Sequence, residues 1–292
     1  MSTNKEPKLK SKSASVRAYS ILVYVVVIFF SVLAIIPFWY MFMNATWDTL
    51  SIQRGVKMYP NPDFIHQLKE NWTNLKNRST FSFATGFKNS VIISFSSTAL
   101  TVYFSALTAY GLSVYKFKGR QLIYTIIIGV MMVPTAVNIT GSYRLMSNLH
   151  LLGTRWPLII PAVAAPATVF FIKQYLETSL SMEIIEASRI DGAGEFYTFN
   201  KICLPIMIPS LATQGIFSFL GSWNNFFAPS IFLTKTDLKT LPLMVSQLYG
   251  DRYVDYGLIY MGLSASIVPV IIVYAFLQRY IISGVAAGGV KE

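Results

Sequence analysis

Long runs of sequence that contain no Asp, Glu, Lys or Arg constrain this chain more than any other feature. A helix needs about 20 mostly apolar residues to cross about 30 Å of hydrocarbon. Five of the six longest runs exceed that length, and the shorter fourth run is followed by Lys173, whose side chain can extend to the membrane interface. The sequence therefore predicts six membrane-spanning helices, at about residues 20–43, 89–114, 121–141, 156–176, 206–232 and 258–282.

The spans are expected to be helices, because the strands of a membrane β-barrel are about 10 residues long and alternate in polarity. Residues 24–30, Tyr-Val-Val-Val-Ile-Phe-Phe, do not alternate. Only 13% of the residues are charged, about half the fraction usual in a soluble domain. The net charge of +11 does not indicate nucleic acid binding, because the charges lie between apolar runs rather than on one face. We therefore predict an all-α integral membrane protein.

The distribution of lysine and arginine predicts the orientation. Residues 1–19 carry five of them against one Glu, and the short connection 116–120 carries three. Cytoplasmic loops are enriched in these residues, so both termini are expected in the cytoplasm. The segment 44–88 carries six, but long loops cross the membrane largely regardless of charge. The basic tail 1–19, the loop 177–205 and the tail 283–292 are then cytoplasmic, whereas 44–88, 142–155 and 233–257 face outward.

The loop 177–205 is expected to form a helical hairpin. Ser181 can cap a first helix, with Glu183 in the first turn near the positive end of the helix dipole. Gly192 can end this helix, since glycine accepts the left-handed conformation of a helix C-terminus. A second helix follows from about residue 195, with apolar side chains at helical spacing at Phe196, Phe199, Ile202 and Cys203. On these residues alone, an amphipathic hairpin resting on the membrane surface is an alternative.

The order of residues in this loop resembles the Glu-Ala-Ala loop of permeases in bacterial ATP-binding-cassette (ABC) importers. Glu186-Ala187-Ser188 is followed four residues later by Gly192, and Leu204-Pro205 closes the loop; Ser188 stands where that family usually has a second alanine. The resemblance implies a type I importer permease fold with six membrane helices, and a coupling helix that docks on a separate ATPase subunit. It implies coupling roles for Glu183, Glu186, Ala187, Ser188, Asp191, Gly192, Ala193, Leu204 and Pro205.

Individual roles are assigned on the basis of this resemblance. Glu186 offers a carboxylate for a bidentate contact with an arginine across the interface. Ala187 and Ser188 are small, so that a partner surface can approach them closely. Gly192 lets the two helices fold at a fixed angle, so that a push on the first is passed to the spans.

Two further segments resemble sugar permeases. The chain ends like the second permease of maltose-type importers, whose tail reaches toward the ATPase dimer; a frayed, glycine-rich terminus is the alternative. Residues 221–229 resemble a Trp-Asn segment that is common in the fifth span of sugar permeases. The tail residues expected near the ATPase are Gly288, Gly289, Val290 and Lys291.

Hydroxyl and amide side chains recur on one face of the second and fifth spans at helical intervals. They indicate either helix packing, which uses small and hydroxyl residues, or a wet wall of the solute pathway. Those of the second span are Ser90, Ser94, Ser97, Thr98, Thr101, Ser105 and Thr108. The possible pathway residues of the fifth span are Gln214, Ser218, Ser222, Trp223, Asn224 and Asn225.

The chain has no P-loop, so ATP and Mg²⁺ are expected on a partner, and no cofactor, metal or catalytic residue is expected here. Cys203 is the only cysteine, which excludes an internal disulfide. The resemblance implies a second permease as heterodimer partner, two ATPase subunits, an extracytoplasmic sugar-binding protein, and import of a sugar or oligosaccharide across the bacterial cytoplasmic membrane. The alternatives are a secondary transporter or facilitator, and the same importer class with glycerol phosphate or an acidic oligosaccharide as cargo.

Overall fold

A computed structural model of the chain describes residues 14–250 and 254–289. No strand occurs in these ranges. Short 3₁₀ turns lie at Ile160–Val163, Thr236–Leu238 and Leu248–Gly250, and Thr198–Cys203 forms a π-helix. The α-helices are α1 (Ala14–Asn44), α2 (Thr49–Gln53), α3 (Phe64–Lys76), α4 (Phe83–Val114), α5 (Arg120–Met131), α6 (Thr135–Asn148), α7 (Trp156–Ile159), α8 (Pro166–Ser179), α9 (Met182–Ile190), α10 (Glu195–Tyr197), α11 (Leu204–Ile206), α12 (Ile208–Trp223), α13 (Phe227–Phe232), α14 (Leu241–Gln247) and α15 (Tyr256–Gly289).

Within residues 14–250 and 254–289, four helical stretches are long and apolar enough to cross a membrane. A further pair of stretches, Glu195–Ile206 and Ile208–Trp223, passes the same criterion together but is bent by 80°. The first, second, fourth and sixth predicted spans lie within the four stretches Tyr19–Asn44, Phe83–Val114, Trp156–Ser179 and the helix that begins at Tyr256.

The segment predicted as the third span, 121–141, is divided between α5 and α6. The break falls at Pro134, which immediately precedes α6. Proline lacks the backbone N–H that would continue the helix, and it disfavours helical geometry at the residue before it. With 12 residues, α5 is about 18 Å long, shorter than the hydrocarbon core.

The segment predicted as the fifth span, 206–232, is likewise divided, between α12 and α13. The two helices are separated at residues 224–226, where the Oδ1 atom of Asn225 accepts a hydrogen bond from the backbone N–H of Ala228 at 3.2 Å. Asparagine side chains compete with backbone partners in this way and so favour helix ends over helix interiors.

The last helix, α15, continues through Gly289 and so includes most of the predicted tail 283–292. Its last turns contain Ala286 and Ala287, which have the highest helix propensity of any residue type. The sixth span and the beginning of the tail are therefore one continuous helix.

Helix α4 lies at the centre of the bundle and packs against α8 and α12. A cluster of fully buried side chains near its Phe83 end includes Trp223, Leu241 and Met244. Most apolar side chains of α1 from residue 19 to 39 are exposed in the isolated chain, so this helix leaves a large apolar face for lipid or another protein.

Lys173 of α8 is buried rather than extended toward a membrane surface, since only 8% of it is exposed. Its ammonium group pairs with Glu177 and lies 4.3 Å from the centre of the Tyr124 ring of α5. A buried charge needs such partners, so this contact fastens α5 to α8.

Asn89 ties the Phe83 end of α4 to two loops and is almost completely buried. Its Nδ2 atom donates to the backbone oxygens of Asp237 and Lys239, at 2.8 and 3.0 Å. Its Oδ1 atom accepts from Nε and Nη2 of Arg155, at 3.0 and 2.7 Å. The side chain is therefore fully used in positioning segments far away in sequence.

Candidate functional site

The first helix of the loop 177–205, α9, begins as the sequence predicts. Ser181 has an extended backbone conformation, and its hydroxyl accepts a hydrogen bond from the N–H of Glu183 at 3.2 Å. This satisfies one of the N–H groups that have no partner within the helix.

The end of α9 is also confirmed. Gly192 has a φ of +80°, in the left-handed region. The N–H of Ala193 donates to the oxygen of Ser188 at 3.0 Å, and the N–H of Gly192 donates to the oxygen of Arg189 at 3.1 Å. This pair of bonds defines a Schellman motif, which requires the left-handed residue. A Cβ atom at position 192 would meet no atom within 4 Å, so the need for glycine is conformational rather than steric.

The second part of the loop begins as α10, continues as the π-helix and α11, and then bends into α12. Of the four apolar residues at helical spacing, Phe199 and Cys203 are fully buried and Ile202 is half-buried, whereas 69% of Phe196 is exposed.

The buried side of the loop packs on the Val114 end of α4 and on α8. The rings of Phe199 and Tyr110 lie 5.3 Å apart, and Ile172 and Leu176 complete the contact. The hairpin is therefore part of the packed core of the bundle, which argues against one that merely rests on a membrane surface.

Ser188 lies on the inside of the hairpin. Its hydroxyl is 2.7 Å from the hydroxyl of Thr198, and both side chains are buried. The small side chain thus serves the packing of the two loop segments, and only Ala187 of the pair offers close approach from outside.

Glu195 is the feature of this site that the sequence reasoning missed. Its Oε1 atom accepts a hydrogen bond from Nε of Arg189 at 2.7 Å. Its Oε2 atom accepts from the hydroxyls of Tyr115 at 2.6 Å and Tyr110 at 3.3 Å. The hydrogen bond from Arg189, followed by that from Tyr115, holds the pKa of Glu195 below its usual value. One carboxylate therefore joins α9, the second part of the loop and the end of α4.

The face of the loop that points away from the bundle is acidic and apolar. Ile190, Phe196 and Tyr197 are 86%, 69% and 58% exposed. Large apolar side chains exposed together are typical of a surface that binds another protein. Of the predicted coupling residues, Glu183, Glu186, Ala187, Asp191, Gly192 and Pro205 are exposed, Ala193 and Leu204 are half-buried, and Ser188 is buried.

The tail residues predicted to approach a partner are only partly within the structure. Gly288 and Gly289 form the last turn of α15. Val290 and Lys291 lie outside the described residues.

The predicted pathway residues do not form one surface. Trp223 was expected to offer an aromatic face to a solute, but only 2% of it is exposed and it packs on Phe87 and Phe219 in the core. Asn224 lines a cavity of about 270 Å³ together with Tyr249. Asn225 occupies the break before α13, whereas Gln214, Ser218 and Ser222 are half-buried on α12.

The hydroxyl stripe of α4 serves helix packing. Ser97 donates to the hydroxyl of Ser222 on α12 at 3.1 Å, and Thr101 donates to the backbone oxygen of Ala162 at 2.9 Å. Ser90 accepts from the N–H of Leu241 at 2.9 Å. Ser94 and Ser105 are buried, Thr98 is half-buried, and Thr108 donates to its own helix.

Comparison with known proteins agrees with this architecture. The sequence profile of the family described as "Binding-protein-dependent transport system inner membrane component" matches residues 101–286. A solved chain from a bacterial ABC transporter involved in import of the acidic polysaccharide alginate superposes with a TM-score of 0.77. The superposition covers 94% of this chain and 100% of the solved chain, at 23% sequence identity, which shows that the two share a fold.

Sequence relatives point the same way. The chain is 37% identical to the arabinooligosaccharides transport system permease protein AraQ of Bacillus subtilis, over 76% of this chain and 78% of that protein. It is 31% identical to the diacetylchitobiose uptake system permease protein NgcG of Streptomyces coelicolor, over 96% and 91%. With a family profile over more than half of its length and relatives of this similarity, the chain belongs to the binding-protein-dependent transport system inner membrane components, the multi-pass permeases of ABC transporters.

Proposed function

We propose that this permease forms half of the pathway of an importer for a neutral oligosaccharide, and that a separate ATPase subunit docks on its loop 177–205. The observation that carries the proposal is the loop itself. Its inner side is packed into the bundle, while its outer side presents exposed apolar side chains beside three carboxylates. Among the described residues, Glu183, Glu186 and Asp191 make no ion pair, so their charges are available to a basic partner.

The proposal includes three kinds of partner protein, an ATPase, a second permease and an extracytoplasmic binding protein. ATP and Mg²⁺ bind to the ATPase, because no phosphate-binding loop occurs in this sequence. A second permease covers part of the exposed apolar face of α1 and completes the pathway. An extracytoplasmic binding protein delivers the solute to the opposite face, at the loops 44–88 and 233–257.

The described residues that line the cavity at Asn224 include no charged side chain, and we take a neutral sugar as the cargo on that ground. Asn224 and Ser246 line the cavity of about 270 Å³ together with the ring of Tyr249. Amides, hydroxyls and aromatic rings bind sugar hydroxyls and sugar faces, whereas an anionic cargo needs cations. The named relatives transport arabinooligosaccharides and diacetylchitobiose, which supports the same class of cargo.

Reconstitution tests this function directly. The permease is purified with its second permease and the ATPase, placed in lipid nanodiscs and given the cognate binding protein. ATPase activity is then measured with arabino-, chito- and malto-oligosaccharides, glycerol phosphate and alginate oligomers. Stimulation by a neutral oligosaccharide is the expected result. Stimulation by glycerol phosphate or alginate oligomers alone would refute the cargo, and a permease that purifies without any ATPase would refute the coupling.

The proposal also places residues 177–205 and both termini in the cytoplasm. Cys203 is buried and is the only cysteine, so Cys203→Ala gives a background for labelling. In right-side-out vesicles, a membrane-impermeant maleimide should label Lys69→Cys but reach Glu186→Cys only after permeabilisation. Labelling of Glu186→Cys in intact vesicles would contradict the orientation.

A further inference from the structure

The loop 177–205 is connected to the bundle by two routes, and they differ in stiffness. The covalent route leads from α10 through the π-helix and α11 into α12. It contains an 80° bend and a π-helix, a rare helix type that occurs mostly as a single turn. If a displacement of α9 were transmitted only along this route, flexing at the bend would reduce the displacement that reaches α12.

The second route is not covalent and runs through Glu195. Arg189 on α9 donates to one carboxylate oxygen at 2.7 Å, and Tyr115 at the end of α4 donates to the other at 2.6 Å. The guanidinium of Arg189 also lies 5.8 Å from the centre of the Tyr115 ring. The side chains of Arg189, Glu195 and Tyr115 thus link three segments through two consecutive hydrogen bonds, and no bend of the backbone lies between them.

The position of Tyr115 makes this connection mechanically useful. It is the residue that directly follows α4, so a displacement of its side chain acts on the end of a long helix. Its ring also packs on Tyr110, which donates to the same carboxylate oxygen of Glu195 at 3.3 Å. The carboxylate is therefore held by two side chains from successive turns of the same helix end.

The ion pair itself contributes little to folding stability, because the side chains of both Arg189 and Glu195 are well exposed to solvent. Its geometry is unusual for a surface pair, however, since both carboxylate oxygens are used and each has a different segment as donor. The position of the carboxylate is therefore fixed by its three hydrogen bonds together rather than by the ion pair alone.

We propose that Glu195 is the positioning residue that passes the movement of α9 directly to α4. The inference rests on the proposed coupling function and goes beyond it, because it names the receiving helix and the side chain that connects it. In this arrangement α4 moves with the ATPase-docked helix, and α12 follows through the bend.

The experiment compares Glu195→Ala, Glu195→Gln and Tyr115→Phe in the reconstituted complex, with Tyr143→Phe as a matched control. Tyr143 stacks on Phe232 at the other end of the bundle. The readouts are ATPase copurification, ATP hydrolysis, and sugar imported per ATP hydrolysed. A merely structural role would lower the amount of complex without changing the last ratio.

Glu195→Ala should retain the ATPase but lower import per ATP about 10-fold, a typical magnitude for coupling between sites. Tyr115→Phe should lower it less, because Tyr110 and Arg189 keep their bonds. Glu195→Gln should restore part of the import per ATP, since the amide oxygen can still accept from Arg189 and the amide NH2 can donate to the Tyr115 hydroxyl. Tyr143→Phe should equal wild type.

Import per ATP equal to wild type in Glu195→Ala would overturn the proposal. Loss of ATPase copurification in that variant would also overturn it, because Glu195 would then be a docking residue. If the wild-type permease itself retains no ATPase, the proposed function fails and not this inference alone.

Discussion

Replacement of Gly192 by valine is the sharpest test of the loop geometry. A left-handed conformation costs an ordinary L-residue about 1–2 kcal/mol, and a β-branched residue is a rarer occupant still. If the turn opens instead, the two hydrogen bonds of the Schellman motif are lost, at about 1 kcal/mol each. With valine the closed turn therefore loses about 1–2 kcal/mol relative to open ones, which shifts their ratio by roughly 10-fold.

A graded series separates conformation from bulk. Because no atom lies within 4 Å of a Cβ atom at position 192, the methyl group of alanine should do no steric harm of its own. We expect import by Gly192→Asn to exceed that by Gly192→Ala, and Gly192→Val to be lowest, since asparagine tolerates the left-handed region. The assay is sugar uptake in cells, normalised to the amount of permease in the membrane.

The matched control is Gly129→Ala in α5, a helical glycine that also has open space around it and no positive φ. It should leave uptake unchanged or slightly higher, because alanine is the better helix former. Uptake by Gly192→Val equal to wild type, at equal membrane level, would refute the role of a fixed turn.

Three further predictions concern single contacts. Glu186→Lys should weaken ATPase copurification without affecting membrane insertion; equal recovery in a pull-down would remove Glu186 from the docking surface. Asn89→Ala should lower the free energy of unfolding of the detergent-solubilised permease, followed by thermal unfolding, by about 2–4 kcal/mol. The substitution removes the hydrogen-bond partner of Arg155 and of two backbone carbonyls. Ser188→Ala should lower the free energy of unfolding by about 1–3 kcal/mol, because it leaves the buried Thr198 hydroxyl without its partner. The double variant, with Thr198→Val added, should recover much of this loss. Equal destabilisation of the single and the double variant would contradict the assignment.

The positions of most spans are readable from the sequence, because the length of apolar helix that crosses a membrane is set by the membrane. The two divided spans were also marked in the sequence. Pro134 lies within the third predicted span and Asn224-Asn225 within the fifth, and both residue types disfavour helix interiors. A proline alone does not decide such a break, however, since Pro37 and Pro269 lie inside the unbroken helices α1 and α15.

The loop was predictable at its ends but not in its inward contacts. Ser181 and Gly192 act through their own backbone, so their roles follow from local rules. Ser188 and Trp223 face inward for reasons of tertiary packing, which residue type alone does not reveal. The ion pair of Arg189 with Glu195 was indicated in the sequence, because the two opposite charges lie on either side of Gly192 and Gly194.

The tyrosines that complete that cluster could not have been found in the same way. Tyr115 lies 80 residues before Glu195, and no spacing rule connects positions so far apart. Their meeting depends on how α4 packs against the loop, which is a property of the folded bundle.

Helix α4 is 32 residues long and therefore extends about 48 Å, more than the thickness of the hydrocarbon core. Near one end of the helix, Asn89 forms hydrogen bonds with two loops, and at the other end Tyr115 donates a hydrogen bond to the carboxylate of Glu195. A single helix thus carries side-chain contacts near both of its ends. In the proposed orientation these ends lie on opposite sides of the membrane, so a movement of one end would displace the contacts at the other.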